Sequence, residues 1–511
     1  MALKTPKEYM DSLRKLNLNL YLLGEKVNNW VDNPIIRPSL NAIAMTYKLA
    51  LEPESEDLAT TRSILTGEKI NRFNSTFMSV DDLVKKVKMQ REMGQRTACC
   101  FQRCVGMDAI NASYNTTYEI DQKYGTEYHR RFKNWLKYVH DNDLCVAGAM
   151  TDVKGNRGVP PSEQADKDLF VHIVERKSDG IVIRGAKANI TGIVNSHEML
   201  IMPTLTMRAG DEDYAVSCAI PTDSPGITLI YGRQSCDTRK LEGGDIDVGN
   251  YNFGGQEALT ILDNVFVPWD RVFMCGEIDF STMLVERFAS YHRQSYGGCK
   301  AGISDVLIGA TSLIAEYNGV RKAPHIKEKI GEMIHLTETI HSCGLACSYE
   351  GKKTASGNYL CDVLLANVCK HNVTRFPYEL TRLAEDIAGG ILVTTPSEKD
   401  FRHPALGKYV DKYLRADPAI PTETRYRMVT LIQAMCFGLT SPSYHTESMH
   451  GAGSPQAQKV MIERATDMGL KHSLARSIAG IDKREDPLDQ ASKGGWKRPA
   501  DWDTRTWPRK D

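Results

Sequence analysis

Apolar residues in the first part of the chain recur at helical spacing. Within residues 80–89, Leu83, Val84 and Val87 fall on one stripe, and Ser79 stands where a helix N-cap is expected. Few strand signals interrupt this stretch. The pattern therefore predicts an N-terminal helical domain over residues 1–143.

The pattern changes after residue 143 to short β-branched runs separated by Gly, Pro and Asp. The runs at 169–174 and 181–183, which flank Asp179 and Gly180, predict a hairpin. Further strands are predicted at 214–220, 227–231, 259–262 and 263–268. Residues 144–277 are therefore predicted to form a middle β domain.

Helical spacing returns and persists from residue 278. Ile326, Ile330, Met333 and Ile340 step by 4, 3 and 7 residues, as in bundle packing. Helices are predicted at 298–319, 356–388, 424–440 and 454–480, with breaks at Gly319, Gly351 and Gly389-Gly390. We predict a C-terminal helical bundle over 278–482 and a polar tail, too charged to pack alone, over 483–511.

Charge and composition narrow the class of partner. The 511 residues contain 64 Lys plus Arg and 64 Asp plus Glu, so no net charge attracts nucleic acid or an anionic membrane. No apolar run approaches the roughly 18 residues of a membrane span, and the start has no signal-peptide core. We expect a cytoplasmic protein that binds a small molecule.

The thirteen cysteines are an odd number in a chain without a secretion signal, which favours reduced or metal-bound thiols over disulfides. Cys100 and Cys104 are four residues apart, a spacing that puts two side chains on one helix face. His292 and Cys299 are seven apart, and Gly297-Gly298 between them could bring backbone close to a bulky group. Together these residues could form a Cys₃His metal site.

An alternative is that these cysteines only pack. Cysteine is among the most buried residue types, and Cys343 and Cys347 repeat the same spacing. The paired Cys-x-x-Cys knuckles of a strong zinc signature are absent from the sequence. Spacing alone favours packing, and it does not choose zinc over iron and sulfide.

Several sequence blocks together point to one family. They are QRCVGMD (102–108), MTDVKGNRG (150–158), GAKANITG (185–192), FGGQEA (253–258), YHRQSYGGCK (291–300), AEDIAGG (384–390) and TESMHGAGS (446–454). These blocks resemble those of the 4-hydroxybutyryl-CoA dehydratases, which are also vinylacetyl-CoA delta-isomerases. The resemblance runs from about residue 8 to about residue 481.

The resemblance implies an α+β multidomain, acyl-CoA dehydrogenase-like fold, with the helical, β and helical-bundle domains in that order. It further implies a homotetramer in which each chain supplies FAD and a 4Fe-4S cluster. Cys100, Cys104, His292 and Cys299 match the cluster ligands of the family. Cys99, one residue out of step with Cys104, is assigned no ligand role.

The implied reaction converts 4-hydroxybutyryl-CoA, or vinylacetyl-CoA, to crotonyl-CoA. The C3 hydrogen of the substrate is too weakly acidic for a side-chain base, so the family's radical mechanism removes the C2 proton and passes one electron to FAD, leaving an enoxy radical. An iron held by imidazole can act as a Lewis acid on the hydroxyl. His292, when displaced from iron, would be a base in the neutral pH range.

Further residues match family positions around the two cofactors. Glu257, Tyr296, Lys300 and Glu447 are expected near the substrate hydroxyl and the cluster, where they could orient a group or carry a proton. The expected flavin contacts are Met150, Thr151, Asp152, Lys187, Thr191, Asp386, Gly389 and Gly390, the last three reaching FAD from a neighbouring chain. His450, Arg157 and the stretch 234–239 receive no role.

Simpler interpretations of these positions are a packed aromatic for Tyr296, an exposed helix-end charge for Glu447, turn chemistry for Thr191-Gly192 and a helix C-cap for Gly389-Gly390. No Gly-x-Gly-x-x-Gly fingerprint supports a Rossmann site.

Two other functions compete with the dehydratase. A flavin-dependent aromatic hydroxylase of the 4-hydroxyphenylacetate 3-monooxygenase type would share the fold but need oxygen and no cluster. A zinc-stabilised, non-catalytic binding protein would use the same Cys₃His set as a closed tetrahedral site. The cysteine and histidine set argues against the aromatic hydroxylase, and the flavin-like blocks argue against the zinc-stabilised binding protein.

Overall fold

The computed structural model describes residues 3–481 except 154, 204–206, 234–238, 248, 250 and 251. The predicted polar tail at 483–511, Cys236 and most of the 234–239 stretch therefore lie outside the described residues.

Helices dominate both ends of the chain. They are α1 (Pro6–Leu13), α2 (Arg37–Leu49), α3 (Glu56–Ala59), α4 (Val80–Thr97), α5 (Cys104–Tyr124), α6 (Tyr128–Asp141), α7 (Ile278–Tyr317), α8 (Pro324–Tyr349), α9 (Val363–Val373), α10 (Phe376–Ala388), α11 (Ile391–Thr394), α12 (Glu398–Arg402), α13 (Gly407–Leu414), α14 (Thr422–Cys436), α15 (Ser441–Tyr444), α16 (Thr446–His450), α17 (Pro455–Ala465) and α18 (Met468–Ile478).

Strands are concentrated between α6 and α7. They are β1 (Leu20–Leu22), β2 (Glu25–Lys26), β3 (Thr60–Arg62), β4 (Lys69–Asn71), β5 (Val146–Ala149), β6 (His172–Arg176), β7 (Gly180–Thr191), β8 (Glu198–Ile201), β9 (Val216–Pro221), β10 (Ile227–Tyr231), β11 (Glu257–Pro268), β12 (Val272–Cys275), β13 (Lys352–Lys353) and β14 (Tyr359–Leu360).

The N-terminal region confirms the predicted helix and adds strands that the pattern did not predict. Ser79 caps α4 by accepting a hydrogen bond from the Asp82 amide, and the predicted apolar stripe of α4 is buried. Strands β1 to β4 were missed because two or three residues are too few to show alternation. Strand β1 pairs in parallel with β10, so the N-terminal segment extends the sheet of the middle region.

A six-stranded sheet runs in the order β2-β1-β10-β11-β7-β6. The predicted hairpin is confirmed, because β6 and β7 pair antiparallel with His172 opposite Arg184. The two runs predicted at 259–262 and 263–268 are one strand, β11, which pairs along β7. Their apparent break is a register shift after Leu262, where Asn264 has a left-handed backbone with φ of 53°.

A second sheet has the order β12-β9-β8-β5. Strands β5 and β8, which pair in parallel, are buried at every position and so carry no alternation from which they could have been predicted. Helix α5 lies directly on β5. A Cβ added at Gly106 would stand 1.9 Å from the Val146 carbonyl oxygen, so this glycine permits the close approach that brings the start of α5 to the sheet.

Helix α7 is the central element and packs against α4, α5, α8 and α9. Among the described residues it is the one helix long and apolar enough to cross a membrane, yet 67% of the qualifying window is buried inside the protein. Its glycines admit neighbouring helices rather than a bulky group. A Cβ at Gly298 would lie 2.3 Å from the Val87 carbonyl oxygen on α4, and one at Gly297 would lie 2.5 Å from the Gly344 Cα on α8.

The C-terminal helices follow the predicted pattern with shorter pieces. The stripe on α8 at Ile326, Ile330, Met333 and Ile340 is buried. The predicted helix at 356–388 is wrong before residue 363, where β14 lies, and the remainder is two helices, because Pro377 in the first turn of α10 cannot continue α9. The predicted helix at 454–480 is likewise divided into α17 and α18.

Candidate functional site

A cavity of about 1260 Å³ lies between the start of α5, the two sheets, α7 and the segment from Phe437 to Ala457. Most of the predicted site residues line it: Cys100, Cys104, Met150, Thr151, Thr191, Glu257, His292, Tyr296, Cys299, Lys300 and Glu447. Asp152, Lys187, Asp386, Gly389 and Gly390 are not on its wall. Residues more than 300 positions apart in the chain therefore meet at one place.

The cysteines reach the cavity by a route that differs from the prediction. Cys104 is the first residue of α5, but Cys100 lies in the turn after α4 and not on a helix. Ala98 and Gln102 both have left-handed backbones, with φ of 49° and 67°, which ends one helix and reverses the chain before the next. The expected i,i+4 helical pairing is thus wrong, although both thiols still face the cavity with Cys299 of α7.

Burial decides the ionisation of these thiols. Desolvation raises the pKa of Cys299 to about 11 and raises those of Cys100 and Cys104 well above the ordinary range. As free groups they are neutral thiols, and a bound metal would be needed to convert them to thiolates. Cys99 is also buried, but it does not line the cavity, and its Sγ lies 3.6 Å from the Cys100 carbonyl oxygen.

His292 faces the cavity from α7, two helical turns before Cys299. Its Nδ1 is 2.8 Å from Oδ2 of the buried Asp108, and its ring stacks on Phe288. Burial raises the pKa of Asp108, but the Lys86 ammonium and the His292 hydrogen bond more than offset it, and the net shift is downward. Asp108 is therefore an anion that accepts from His292.

The described residues contain no group of three His, Cys, Asp or Glu side chains placed to hold one metal ion. A zinc site brings its ligand atoms within about 2.3 Å of a single ion. A four-iron cluster takes one ligand on each of several irons, so its ligands stand farther apart. The three thiols and His292 line the same cavity.

Two carboxyl groups and a lysine occupy the wall beside the thiols. Oε1 of Glu257 accepts a 2.5 Å hydrogen bond from the Thr191 hydroxyl, and Oε2 has no hydrogen-bond partner among the described residues. Burial and the nearby Glu447 raise the pKa of Glu257 well above its usual range. Glu257 is therefore a buried carboxyl group that favours its protonated form beside the thiols.

Lys300 and Tyr296 complete this polar wall. The Lys300 ammonium donates to the Ser443 carbonyl oxygen at 2.5 Å and lies 3.6 Å from Oε2 of Glu447. Burial lowers the pKa of Lys300, but Glu447 and the three cavity thiols more than offset it, so the net shift is upward. The Tyr296 hydroxyl donates to the Glu447 carbonyl oxygen at 3.3 Å. Tyr296 is thus packed, as the simpler interpretation held, and yet faces the cavity.

Lys370 and Arg293 were not predicted by sequence analysis. The Lys370 ammonium donates to the Ser448 carbonyl oxygen and lies 4.2 Å from the centre of the Tyr296 ring. Burial, with Lys300 and Arg293 nearby, lowers the pKa of Lys370 well below its usual value, and burial lowers that of Arg293 to about 10. Neither forms an ion pair with a described carboxylate. A lysine within a helical pattern does not indicate that its side chain is buried, so sequence analysis could not single out Lys370.

The predicted flavin contacts separate into three groups. Met150, Thr151 and Thr191 are on the cavity wall. Lys187 is buried behind it, where its ammonium contacts Asp152 at 2.8 Å and donates to the Met150 carbonyl oxygen at 2.9 Å. This ion pair therefore supports the wall rather than offering a free charge.

The third group lies away from the cavity. Asp386 is paired with Lys329 at 2.5 Å, and its side chain is 45% exposed. Gly389 ends α10 with φ of 80°, as the C-cap interpretation held, and a Cβ at Gly390 would meet open space. His450 and Arg157, which received no predicted role, do line the cavity. Arg239 lies apart and donates to Gln433 at 3.0 Å.

The chain matches two family models in succession. Residues 5–274 match the N-terminal model of 4-hydroxyphenylacetate 3-hydroxylase, and residues 281–480 match the C-terminal model. A 4-hydroxybutyryl-CoA dehydratase/vinylacetyl-CoA-Delta-isomerase of Clostridium aminobutyricum is 59% identical over 94% of this chain and 100% of its own. The 4-hydroxyphenylacetate 3-monooxygenase oxygenase component of Thermus thermophilus is 28% identical over 81% of this chain and 84% of its own.

Solved structures are similar over nearly the whole chain. An oxygen-tolerant archaeal 4-hydroxybutyryl-CoA dehydratase from N. maritimus has a TM-score of 0.93 and 53% identity, with 100% of both chains covered. A 4-hydroxyphenylacetate 3-monooxygenase oxygenase component complexed with FAD has a TM-score of 0.81 and 25% identity, covering 93% of this chain and 98% of its own. The mixed helix-and-sheet fold is therefore shared with a flavin-binding protein.

Proposed function

The chain belongs to the 4-hydroxyphenylacetate 3-hydroxylase family and, within it, to the 4-hydroxybutyryl-CoA dehydratases, and on this premise we propose how its cavity works. It is an enzyme that dehydrates 4-hydroxybutyryl-CoA to crotonyl-CoA and isomerises vinylacetyl-CoA to the same product. The observation that carries the mechanism is the convergence of three thiols and His292 with a carboxyl pair and a buried lysine in one cavity. An aromatic hydroxylase has no use for that set.

The residues present fit an iron–sulfur cluster. Cys100, Cys104, Cys299 and His292 supply sulfur and nitrogen donors from two parts of the chain. A cluster ligated by three thiolates adds negative charge to a buried site. Glu447 and all three thiols raise the pKa of Lys300, and Arg293 is a buried cation without a carboxylate ion pair in the described part of the chain. These two positive charges offset part of the negative charge of such a group.

The residues present also fit a flavin. A cavity of about 1260 Å³ exceeds the ~300–1,000 Å³ of an ordinary small-molecule pocket and leaves room for an acyl chain beside a ring system. Met150, Thr151 and Thr191 offer backbone and hydroxyl groups on one side. When bound, FAD would accept and return one electron and the cluster would be a Lewis acid for the leaving hydroxyl.

Side chains of this chain move the protons. The Nε2 of His292, which faces the cavity, accepts the C2 proton of the acyl group when it is not ligating iron. The proton that burial favours on Glu257 is available to the departing hydroxyl oxygen, and Lys300 donates a hydrogen bond to that oxygen. Tyr296 positions the Glu447 backbone by the hydrogen bond from its hydroxyl.

Assembly and location belong to the same proposal. We propose an acyl-CoA dehydrogenase-like arrangement of the regions 1–143, 144–277 and 278–482, and a homotetramer in which Asp386, Gly389 and Gly390 reach the flavin of a neighbouring chain. None of the three lines this chain's own cavity, which supports that role, as does the nearby apolar residue Val393, which is 84% exposed. Free thiols and zero net charge support a cytoplasmic enzyme that binds neither nucleic acid nor membrane.

Protein purified without oxygen tests this function. We expect about four irons, four sulfides and one FAD per chain, and conversion of 4-hydroxybutyryl-CoA to crotonyl-CoA without added reductant. FAD without iron, with oxygen-dependent hydroxylation of 4-hydroxyphenylacetate, would identify the aromatic hydroxylase instead. Zinc without FAD would identify the binding protein. Either result would overturn the dehydratase mechanism.

A further inference from the structure

Asp108 lies where α4, α5 and α7 meet, behind the cavity wall. It follows Cys104 by one turn of α5, so the two side chains share a helix face. Its side chain and that of Lys86 on α4 are both completely buried. A fully buried carboxylate one turn from a predicted cluster ligand is unusual in a helix and calls for a specific role.

The two carboxylate oxygens of Asp108 have different partners. Oδ1 lies 2.6 Å from the Lys86 ammonium. Oδ2 lies 2.8 Å from Nδ1 of His292 and accepts a 2.9 Å hydrogen bond from the Ser295 hydroxyl. One oxygen therefore faces a counter-charge, and the other faces the imidazole.

Lys86 is held as firmly as the carboxylate. It donates to the Tyr291 carbonyl oxygen at 2.7 Å and to Oε1 of Gln294 at 3.0 Å, and it lies 5.1 Å from the centre of the Phe77 ring. Removing either partner of such a pair leaves an uncompensated buried charge. The ion pair therefore keeps Asp108 an acceptor.

The His292 ring has little freedom to turn. Phe288 stacks on it, with ring centres 5.7 Å apart and 11° between the planes, and Tyr296 packs edge-on at 5.2 Å. With Nδ1 directed at an acceptor, the hydrogen of the neutral ring stands on Nδ1. The remaining nitrogen, Nε2, carries the lone pair that faces the cavity.

We propose that Asp108, charge-balanced by Lys86, is the positioning residue of His292: it fixes the hydrogen on Nδ1 and presents Nε2 to the cavity as the atom that binds iron or accepts the substrate proton. This inference rests on the proposed function and assigns it a further residue pair. Carboxylates that orient metal-binding histidines commonly contribute ~10–100-fold to metal affinity or activity. Asp108 does not line the cavity, so it reaches the cavity through His292 and Ser295, which do line it.

Isotope labelling of the wild-type holoenzyme tests the orientation without any substitution. The enzyme is prepared with histidine carrying ¹⁵N at Nε2 or at Nδ1, and the cluster is studied by pulsed EPR in a paramagnetic state. We expect the strong nitrogen coupling to change with the Nε2 label and not with the Nδ1 label. The reverse result would overturn the proposal, since Asp108 would then face the wrong nitrogen.

Asp108→Asn tests the positioning role, with Asp143→Asn as a matched control. Asp143 is also a buried aspartate, but it accepts from the Lys4 amide at 3.0 Å and makes no contact with His292. We expect Asp108→Asn to release iron to a chelator ~10–100-fold faster and to alter the nitrogen coupling while FAD remains bound, because the amide can present a donor to Nδ1. The control should release iron at the wild-type rate.

Two outcomes separate this inference from the proposed function. An iron-loaded wild-type enzyme whose Asp108→Asn variant keeps the wild-type iron release and nitrogen coupling would overturn the positioning role alone. Wild-type enzyme without iron would overturn the proposed function and this inference with it. If Asp108→Asn does not fold, the labelled wild-type enzyme still decides which nitrogen faces the cluster.

Discussion

A buried carboxyl group with a raised pKa is the main feature of the polar cavity wall where individual residues are concerned. Glu257 lies on β11 and Glu447 on α16, about 190 residues apart in sequence, and both line the cavity, where Thr191 holds Oε1 of Glu257. Burial and the nearby Glu447 both disfavour the ionised form of Glu257. Glu257 can therefore give up a proton without first taking one from solvent.

Glu257→Gln should make stability less sensitive to pH. The Glu257 carboxyl has a pKa of ~4.3 in the unfolded chain and a higher pKa in the folded protein. Between these two pKa values the folded protein binds more protons than the unfolded chain, so stability falls as pH rises. Glutamine cannot titrate, and thermal unfolding followed as pH rises above ~4.3 should show a shallower decline. An exposed carboxylate, Glu328, provides the control Glu328→Gln. Equal slopes in wild type and Glu257→Gln would contradict the raised pKa of Glu257.

Cys104→Ser should remove the iron and the dehydratase activity together. Its thiol lines the cavity, and losing a ligand should exceed the ~10–100-fold effect of an outer contact. Cys347→Ser is the matched control, because Cys347 is equally buried but donates to the Gly344 carbonyl oxygen away from the cavity. Iron analysis and crotonyl-CoA formation are the measurements. Full iron content in Cys104→Ser would remove this residue from the ligand set.

Helix α7 organises the site at the scale of elements. It presents His292, Tyr296 and Cys299 to the cavity at helical spacing, while its glycines let α4 and α8 pack against the other side. A Cβ at Gly302 would stand 2.0 Å from the Arg91 carbonyl oxygen, a backbone atom that no rotamer change can move. The position of the α7 face that carries His292, Tyr296 and Cys299 therefore depends on glycines that do not line the cavity.

Gly302→Ala should destabilise the enzyme by about 1–3 kcal/mol, because an overpacked helix contact forces the backbones apart. Gly309→Ala on the same helix is the control. Nothing lies within 4 Å of its added Cβ, and alanine should stabilise the helix there by about 0.5–1 kcal/mol. Denaturant unfolding of the two variants measures the difference. A Gly302→Ala variant as stable as Gly309→Ala would show that α4 and α7 can separate without cost.

The route of the chain into the cavity shows where sequence reasoning about elements succeeded and where it failed. The α4 helix and its Ser79 cap, the β6–β7 hairpin and the stripe of α8 were all predicted correctly, because each is encoded by neighbouring residues. The Cys100–Cys104 spacing predicted a helix, but two left-handed residues turn the chain there. Neither Ala98 nor Gln102 is a residue type that favours the left-handed conformation, so the local sequence did not predict the turn.

Exposed apolar residues after residue 390 are the main feature of the surface at the scale of the whole molecule. Helix α13 has no buried residue although Tyr409 and Tyr413 lie on it, and Val393 is 84% exposed. An apolar surface of this kind is typical of contact with another chain. It lies next in sequence to Gly389 and Gly390, the segment proposed to reach a neighbour's flavin.

Val393→Glu should dissociate the proposed homotetramer and lower the FAD content, because a charge would be buried in the contact that is proposed to complete the flavin site. Light scattering coupled to gel filtration gives the mass, and the flavin absorbance gives the FAD content. Ile64→Glu replaces another exposed apolar residue, on the N-terminal region, and should leave both unchanged. An intact oligomer with full FAD in Val393→Glu would contradict the role of this surface.

Local sequence patterns were enough to predict the order of helical and β regions, the main helices and strands, and the residue types that line the cavity. Hydrophobic periodicity and capping depend on residues within one or two turns, and most of the predicted site residues lie within the family sequence blocks. The three-dimensional fold was needed to show that the Cys100–Cys104 turn and α7 line one cavity, that Glu257 and Glu447 line it too, and that Lys86 and Asp108 lie behind His292. Most of these contacts join residues about 180 to 210 positions apart in the chain. They depend on helices that pack closely at glycines and on charges that are paired inside the protein, and no local sequence pattern encodes either.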